Sequence, residues 1–407
     1  MTSHTLYFDY NATTPVDSTV AAVITEALAE AWANPSSASP PGHKARATLE
    51  KARQQVAEVI HASPQDILFT SGGTESNYMV QHAVLCAFPG AHILLSDAEH
   101  PSVALPAEEA MIRGAATVVR APLCASGEVD VAALAALLTP DTRLVSVMLV
   151  QNESGVVNDV AAVAAAVRAY ARQHGTVILV HTDAAQAIGK IPVDVDALDV
   201  DYLTIVGHKF YGPRVGALYV RGLRAGQTPL SPLFLGGGQE GGYRAGTENT
   251  PMLAGLGEAC QQTQTRLDAD IQRMRMRIAQ FEAALQHQAP DGYRVIIHGA
   301  NTMRAPSTSL FSIVADASTD SSPVSSRELV ARLAVRGIYV GAGSACHSSA
   351  AGADARPTVL RAMQVPAAVA HCTLRFSVGR YSRTKNLPQV VEAIWTEAVS
   401  SVSTSSV

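Results

Sequence analysis

The stretch Asp201-Tyr-Leu-Thr-Ile-Val-Gly-His-Lys-Phe-Tyr-Gly-Pro213 joins an apolar run to a tight turn. Residues 202–206 predict a buried strand, and the glycines and the proline that follow predict a turn. Lysine is scarce in this chain and occurs only at positions 44, 51, 190, 209 and 385. An amine can lose its proton, which a guanidinium cannot do, so Lys209 at the end of this strand is a candidate Schiff-base residue. The alternative is an ordinary surface lysine in a loop.

The composition excludes several classes of protein. The chain has 407 residues, of which 47% are hydrophobic and 16% charged, and its net charge is -5. This predicts two or three folded domains and gives no electrostatic reason to expect nucleic acid or a membrane as a partner. The N-terminus lacks the basic and apolar regions of a secretory signal. The cysteines lie singly, so we expect a cytoplasmic protein without a disulfide framework or a metal site.

Strand-like and helical segments alternate through the first half of the chain. The predicted strands are Ile67–Thr70, His92–Ser96, Thr117–Arg120, Leu144–Val150, Val177–His181 and Tyr202–Val206. The predicted helices are Asp17–Trp32, Gly42–Ile60, Glu75–Ala87, Ala132–Leu138, Ala161–Gln173 and Pro251–Gln288. This alternation predicts an α/β fold with a mostly parallel sheet covered on both faces. In such sheets the ligand binds beyond the carboxyl ends of the strands.

Two strand ends carry residues that can bind an anion or a planar ring. Gly73 and Thr74 open a helix, where backbone N–H groups and the helix dipole favour a phosphate. A plain turn with a capped helix is the alternative. His100 follows another strand, where an imidazole can stack on a ring or move protons. A structural hydrogen bond is the alternative role for this histidine.

Two further strand ends suggest a cofactor. Asp183 and Gln186 follow one predicted strand, and His208 and Lys209 follow another. A carboxylate close to a buried strand end is costly without a cationic partner, and a protonated pyridine nitrogen would be one. Pyridoxal 5′-phosphate fits this set, because it needs a charge for its ring nitrogen, a donor for its ring hydroxyl and an amine for its aldehyde.

Motifs spread along the chain make the prediction specific. They are Asp9-Tyr-Asn-Ala-Thr-Thr-Pro15, Ser71-Gly-Gly-Thr-Glu-Ser-Asn77, Glu99-His100, Gln151-Asn-Glu-Ser-Gly155, His181-Thr-Asp-Ala-Ala-Gln186, Gly207-His-Lys209, Arg244-Ala-Gly-Thr-Glu-Asn249, Gly343-Ser-Ala-Cys346 and Leu374-Arg-Phe-Ser-Val-Gly-Arg380. With these motifs the chain resembles the class V, fold-type I aminotransferase-like enzymes of the cysteine desulfurase and selenocysteine lyase group. The resemblance runs from Asp9 to about Arg380 and implies a fold-type I enzyme dependent on pyridoxal 5′-phosphate.

The resemblance also implies roles for individual residues. The implied catalytic residues are Lys209, Cys346 and His100. The implied cofactor-binding residues are Gly73, Thr74, His100, Asn152, Asp183, Gln186, His208, Lys209 and Thr247. The implied substrate-binding residues are Asn11, Asn152 and Arg375. One departure is Val206, because many desulfurases have a serine there that binds the cofactor phosphate.

The implied activity has two forms. Details of the motifs favour conversion of L-selenocysteine to L-alanine with release of selenium. The alternative is a cysteine desulfurase that converts L-cysteine to L-alanine and keeps the sulfur as a persulfide on Cys346, for iron–sulfur clusters or tRNA thiolation. That step needs a lowered thiol pKa. A selenium or sulfur acceptor protein is an expected partner, and a non-catalytic scaffold with the same fold is a third, less favoured reading.

The predicted organisation has three parts. Residues 1–15 form an N-terminal segment that packs with the small domain, residues 16–260 form a large cofactor-binding domain, and residues 261–407 form a small α+β domain with the cysteine loop and Arg375. The resemblance further implies a homodimer in which Thr247 reaches the cofactor phosphate of the partner subunit.

Overall fold

The computed structural model describes residues 5–317, 319, 322–342 and 357–399. A seven-stranded sheet with the order β2-β8-β7-β6-β5-β3-β4 forms the centre of the larger part. Its strands are β2 (Ile67–Thr70), β3 (His92–Ser96), β4 (Thr117–Ala121), β5 (Thr142–Ser146), β6 (Leu179–Asp183), β7 (Tyr202–Val206) and β8 (Gly216–Val220). Only the β2–β8 and β7–β8 pairs are antiparallel. The predicted α/β fold with a mostly parallel sheet is confirmed.

Helices cover both faces of this sheet. They are α1 (Ser18–Glu30), α2 (Pro40–Glu58), α3 (Gly73–Ala87), α4 (Pro101–Ile112), α5 (Val131–Ala136), α6 (Val160–His174), α7 (Val195–Leu198) and the first part of α8 (Thr250–His287). Side-chain caps fix several starts, since Asp17 accepts a hydrogen bond from the Thr19 N–H and Asp159 accepts one from the Ala162 N–H. Apolar side chains on the two faces of the sheet form two separate buried clusters with these helices.

A smaller unit is built on the C-terminal third. Its antiparallel sheet has the order β12-β10-β9. The strands are β9 (Tyr293–Ile297), β10 (Thr308–Ala315) and β12 (Thr373–Ser377), and the helices are α9 (Ser326–Val335), α10 (Thr358–Ala362), α11 (Ala367–Ala370) and α12 (Leu387–Val399). Stacked aromatic rings fill the core, with the Phe281 and Phe376 centroids 3.7 Å apart. The N-terminal strand β1 (Leu6–Tyr7) pairs in parallel with β11 (Ile338–Tyr339).

The long helix α8 connects the two units. Its N-terminal turns bury Leu253, Leu256 and Cys260 in the core of the large unit. Its C-terminal turns bury Phe281 and Leu285 in the core of the small unit. The domain boundary that we predict at residue 260 therefore falls inside a continuous helix.

A buried ion pair fixes the glycine-rich loop of residues 235–249, which precedes α8. Glu240 has a φ of 50° and is 6% exposed. Its carboxylate accepts hydrogen bonds from Arg53 at 2.6 and 2.8 Å and from the Phe69 N–H at 2.9 Å. The loop is thus attached to both α2 and β2.

Several element boundaries differ from the sequence prediction. The strand predicted at Leu144–Val150 ends at Ser146, and residues 147–150 are buried but lie outside β5. The strand predicted at Val177–His181 is shifted, so Asp183 is the last residue of β6. An apolar run in the sequence indicates that residues are buried, but not whether they belong to a strand. A buried loop after a strand has the same apolar composition as the strand, so the boundary between the two cannot be read from the sequence. Within the described residues, no helix is both long enough and apolar enough to span a bilayer.

Candidate active site

A cavity of about 370 Å³ opens at the carboxyl ends of the parallel strands. The predicted site residues that line it are Asn11, Gly73, Thr74, His100, Asn152, Asp183, Gln186, His208, Lys209 and Arg375. Thr247 is exposed and is not among the lining residues. Cys346 lies outside the described residues, so the structure gives no account of it. Residues from both units therefore meet at one cavity.

Lys209 ends a single 3-10 turn, Gly207–Lys209, directly after β7. Its Nζ donates hydrogen bonds to the carbonyl oxygens of Asn11 at 2.7 Å and Ala12 at 2.9 Å. A Cβ on Gly207 would lie 2.6 Å from the Pro213 carbonyl oxygen, so only glycine allows the chain to turn this closely. The N-terminal segment and the Gly-Pro turn together place the amine at the cavity.

A second amine, Lys190, is buried beside the cavity and was not predicted. Its Nζ donates to Oε1 of Gln186, whose Nε2 donates to the Asn11 carbonyl oxygen at 2.9 Å. Burial, together with the positive charges of Lys209 and Arg375, lowers the pKa of Lys190 well below its usual value. A neutral amine still donates a hydrogen bond, so Lys190 fixes which end of the Gln186 amide faces Asn11.

The Asp183 carboxylate is held at the end of β6 by two donors. Its Oδ1 accepts a hydrogen bond from the Ala185 N–H at 2.9 Å, and its Oδ2 accepts one from Nδ2 of Asn77 at 2.9 Å. Asp183 is 7% exposed, so this carboxylate is largely removed from water. Such a site favours a cationic ligand atom next to the carboxylate.

His100 lies at the start of α4 and is its N-cap. Its Nδ1 accepts a hydrogen bond from the Ser102 N–H at 3.1 Å and lies 2.7 Å from the Ser102 hydroxyl oxygen. The structural role that we considered as the alternative for His100 is therefore present. The ring also lines the cavity, so the cap fixes a side chain that can contact a ligand.

Glu99 is a buried acid next to His100. Its Oε1 accepts hydrogen bonds from the Ser96 hydroxyl at 2.5 Å and from the Met148 N–H at 2.8 Å, whereas Oε2 has no hydrogen-bond partner among the described residues. Burial raises the pKa of Glu99 to about 8, and the charge of Asp183 acts in the same direction. Glu99 is therefore mostly protonated at neutral pH.

The first turn of α3 lines one end of the cavity with Gly73 and Thr74. The N-cap is Gly72, which has no side chain to bond the first N–H groups of the helix. A Cβ on Gly73 would lie 2.7 Å from Cγ2 of Val206, so Val206 occupies the space beside this turn. His208 lies near it, and its pKa is lowered to about 4 by burial and then by the charges of Lys209 and neighbouring cations.

Arg375 lies on β12 and faces the cavity from the small unit. Its Nη2 donates to Oδ1 of Asp9 at 2.7 Å, and its Nη1 donates to the Asn152 carbonyl oxygen at 3.0 Å. The Nε atom is buried and has no hydrogen-bond partner in the described part of the chain. Asp9 therefore orients the guanidinium at the cavity.

Asn11 and Asn152 are held by structural contacts. The Asn11 side chain is 2% exposed and donates to the Thr308 hydroxyl at 2.9 Å and to the Asn152 carbonyl oxygen at 3.3 Å. Both residues line the cavity, and their roles toward a substrate stay predictions.

Comparisons with known proteins agree with this architecture. The family model described as Aminotransferase class-V matches residues 6–390. A selenocysteine lyase of Bos taurus is 41% identical, covering 96% of this chain and 92% of the relative. The selenocysteine lyase of Homo sapiens is also 41% identical, covering 95% and 90%. A cysteine desulfurase of Dictyoglomus turgidum is 35% identical, covering 96% and 93%.

Solved structures of other proteins superpose on this fold. A NifS-like protein superposes with a TM-score of 0.84 at 31% identity, covering 96% of this chain and 98% of the other. SspA in complex with cysteine superposes with a TM-score of 0.74 at 29% identity, covering 93% and 100%. With its sheet, its cavity at the strand ends and a family match over nearly its whole length, this chain belongs to the class V aminotransferase family.

Proposed function

We propose that this protein is a pyridoxal 5′-phosphate enzyme that converts L-selenocysteine to L-alanine and releases selenium. The donor set of the cavity fits the cofactor. Lys209 offers an amine for the aldehyde, Asp183 a carboxylate for the ring nitrogen, and the first turn of α3 a set of N–H groups for the phosphate. When bound, the cofactor withdraws electrons from the substrate α-carbon.

The other groups act on the substrate. Arg375 binds the substrate carboxylate through its guanidinium, with Asp9 holding that group in place. Lys209 moves the proton at the α-carbon, since its amine lies at the cavity beside Asn11. His100 stacks against the ring from the start of α4. The carbon–selenium bond breaks to give alanine and zero-valent selenium, and two thiol groups of a reductant reduce that selenium to selenide as they form a disulfide.

The observation that carries the proposal is that Lys209, Asp183 and Arg375 line one cavity, although they come from the turn after β7, the end of β6 and β12. The choice of selenocysteine as substrate is supported by the relatives, because the selenocysteine lyases of Bos taurus and Homo sapiens are 41% identical to this chain and the cysteine desulfurase of Dictyoglomus turgidum is 35% identical.

A cysteine desulfurase is the second candidate. Its support is the likeness to proteins named cysteine desulfurase and to SspA, whose structure contains cysteine. In this case Cys346 attacks the substrate sulfur and carries it as a persulfide to an acceptor protein. Replacement of Cys346 by alanine then abolishes turnover of cysteine, and a variant that still releases sulfur at the normal rate refutes this role.

The deciding experiment measures alanine release from L-selenocysteine and from L-cysteine side by side, with excess dithiothreitol and saturating cofactor. Turnover of selenocysteine without turnover of cysteine supports the lyase. Comparable turnover of both, with persulfide trapped on Cys346, supports the desulfurase. The variant Lys209→Ala should lose both activities and the visible absorbance of bound cofactor, whereas Lys385→Ala, which changes an exposed lysine, should keep them.

The homodimer is a further part of the proposal, and Thr247 is the residue that tests it. Thr247 is exposed and lies outside the cavity of its own chain. If it binds the cofactor phosphate of a partner subunit, Thr247→Ala binds cofactor weakly. Hybrid dimers of Thr247→Ala with Lys209→Ala would then contain one intact site. Activity of the hybrid above the mean of the two parents is the expected result, and no gain would refute the shared site. A cytoplasmic location remains a proposal.

A further inference from the structure

Asn77, in the second turn of α3, connects the two sides of the cavity. Its Nδ2 donates one hydrogen bond to Oδ2 of Asp183 at 2.9 Å and another to the Ser102 hydroxyl oxygen at 2.8 Å. Ser102 in turn lies 2.7 Å from Nδ1 of His100. Asn77 is 1% exposed, so water does not compete for these bonds. One amide group therefore links the carboxylate to the histidine.

The chemistry of the groups determines which atom donates in each hydrogen bond of this series. A carboxylate only accepts, so the amide nitrogen of Asn77 must face Asp183, and its Oδ1 accepts from the Thr204 hydroxyl at 2.6 Å. Because Asn77 donates to Ser102, the Ser102 hydroxyl proton is available for Nδ1 of His100. The backbone N–H of Ser102 also donates to that nitrogen, at 3.1 Å. Nδ1 is therefore an acceptor.

On the other side of Asn77, the series of hydrogen bonds continues across the sheet. The Thr204 hydroxyl uses its own proton on Asn77 and accepts from Nε2 of His181 at 3.2 Å. Nδ1 of His181 lies 2.7 Å from the Ser146 hydroxyl, which donates to it. Burial lowers the pKa of His181 to about 4, so this ring is neutral at physiological pH, as the chain requires. Buried groups on β5, β6 and β7 thus fix the orientation of the Asn77 amide.

We propose that Asn77 is a positioning residue that holds Asp183 and His100 in one arrangement around the cofactor ring and places the proton of neutral His100 on Nε2. The proposal rests on the proposed cofactor, but its statement about Asp183 and its statement about His100 can be tested separately. The orientation of Asp183 concerns cofactor binding. The tautomer of His100 is a property of the protein, since the hydrogen bonds that set it lie wholly within the chain.

The first test measures the His100 tautomer in the wild-type protein. Protein with ¹⁵N-labelled histidine is studied by long-range ¹H–¹⁵N NMR, and His100 is assigned by comparison with His100→Gln. We expect the pattern of a proton on Nε2, both without ligand and with pyridoxal 5′-phosphate. A proton on Nδ1 in the wild-type protein would overturn the proposal, whether or not the cofactor binds.

The second test compares Asn77→Leu with Gln81→Leu. Gln81 is one turn further along α3, is 3% exposed and donates to the Val103 carbonyl oxygen, so it is a matched buried amide outside the cavity lining. Asn77→Leu leaves Asp183 with the Ala185 N–H as its remaining donor in the described structure, so the carboxylate must be ordered when the cofactor binds. We expect the dissociation constant of pyridoxal 5′-phosphate to rise at least about tenfold, and that of Gln81→Leu to stay within about twofold.

Ser102→Ala separates the role of Asn77 toward His100 from its role toward Asp183. It removes the hydroxyl between Asn77 and His100 and keeps both the backbone cap and the bond to Asp183. We expect cofactor affinity close to that of the wild type, a smaller excess of the His100 tautomer with its proton on Nε2, because only the backbone N–H still donates to Nδ1, and a lower kcat. Equal cofactor affinity in Asn77→Leu and Gln81→Leu would refute the role of Asn77 toward Asp183. If the wild-type protein binds no pyridoxal 5′-phosphate, the proposed function fails, and the tautomer measurement still decides the His100 part.

Discussion

Replacement of Glu99 by glutamine tests the electrostatics of the cavity directly. Glutamine has the shape of the protonated acid, its Oε1 can accept the bonds from Ser96 and the Met148 N–H, and its amide takes the place of the protonated Oε2. The substitution therefore removes the titration and keeps the contacts. In wild-type protein the folded state holds a proton on Glu99 up to about pH 8, because burial raises the pKa to about 8 from 4.5.

Proton linkage determines whether Glu99 makes the folded protein more or less stable as the pH rises. Above about pH 4.5 the unfolded chain releases this proton and the folded protein retains it, so the contribution of Glu99 to stability is complete below that pH and is lost as the pH rises through about 8. The full difference corresponds to roughly 5 kcal/mol as an upper limit, at about 1.4 kcal/mol per pH unit. Between pH 6 and pH 8 it amounts to about 2 kcal/mol. Glu99→Gln lacks this loss.

The assay is urea unfolding of wild-type protein and Glu99→Gln, both stripped of pyridoxal 5′-phosphate so that no ligand titration contributes. The free energy of unfolding of the wild type, measured relative to the variant, should fall by about 2 kcal/mol from pH 6 to pH 8. The difference between the two proteins isolates Glu99, because every other titrating group is common to both. Parallel stability profiles over this range would refute the reasoning and show that Glu99 is ionised in the folded protein.

Three further predictions concern two contacts of the site and the buried ion pair of Glu240. Asp9→Asn weakens the orientation of Arg375, and steady-state kinetics should show KM for the amino acid raised about tenfold with a much smaller change in kcat. Gly73→Ala pushes a methyl group against Val206, so fluorescence titration should show weaker binding of pyridoxal 5′-phosphate, and the added substitution Val206→Ala should restore it. Glu240→Ala leaves the buried Arg53 with the exposed Glu50 as its remaining carboxylate partner among the described residues, and urea unfolding should show a loss near the lower end of about 3–5 kcal/mol. An unchanged KM, a failure of Val206→Ala to restore binding, or an unchanged unfolding midpoint would count against the respective argument.

The sequence predicts the parts of the site that lie at strand ends. Each parallel strand is a local apolar run, and the carboxyl ends of parallel strands meet at one edge of the sheet. The positions of Asp183, His100 and Lys209 could therefore be inferred without the structure. Strand β8 was not predicted, because Gly216–Val220 begins with glycine directly after a turn.

The supporting residues could not be inferred in this way. Asp9 and Arg375 are separated by 366 positions, and Asn77 and Asp183 by 106. Nothing in the local pattern around Asn77 distinguishes it from any polar residue in the first turns of a helix. Lys190 has a weak local signal, since it follows Gln186 by four positions and bonds its side chain. Pairing between distant positions is set by the packing of the whole chain, which periodicity does not report.

The N-terminal segment shows how this packing sets the dimensions of the site. A turn closed by the Ala12 N–H and the Asp9 carbonyl oxygen, 2.9 Å apart, fixes the chain from Asp9 to Ala12. One end of the turn binds Arg375 through Asp9, and the other binds the Lys209 amine through the carbonyl oxygens of Asn11 and Ala12. The distance between the guanidinium of the small unit and the amine of the large unit is therefore set by four consecutive residues of a third segment. A bound amino acid needs both groups, one for its carboxylate and one near its α-carbon, so a change in the length of this turn should impair catalysis even where both units stay folded.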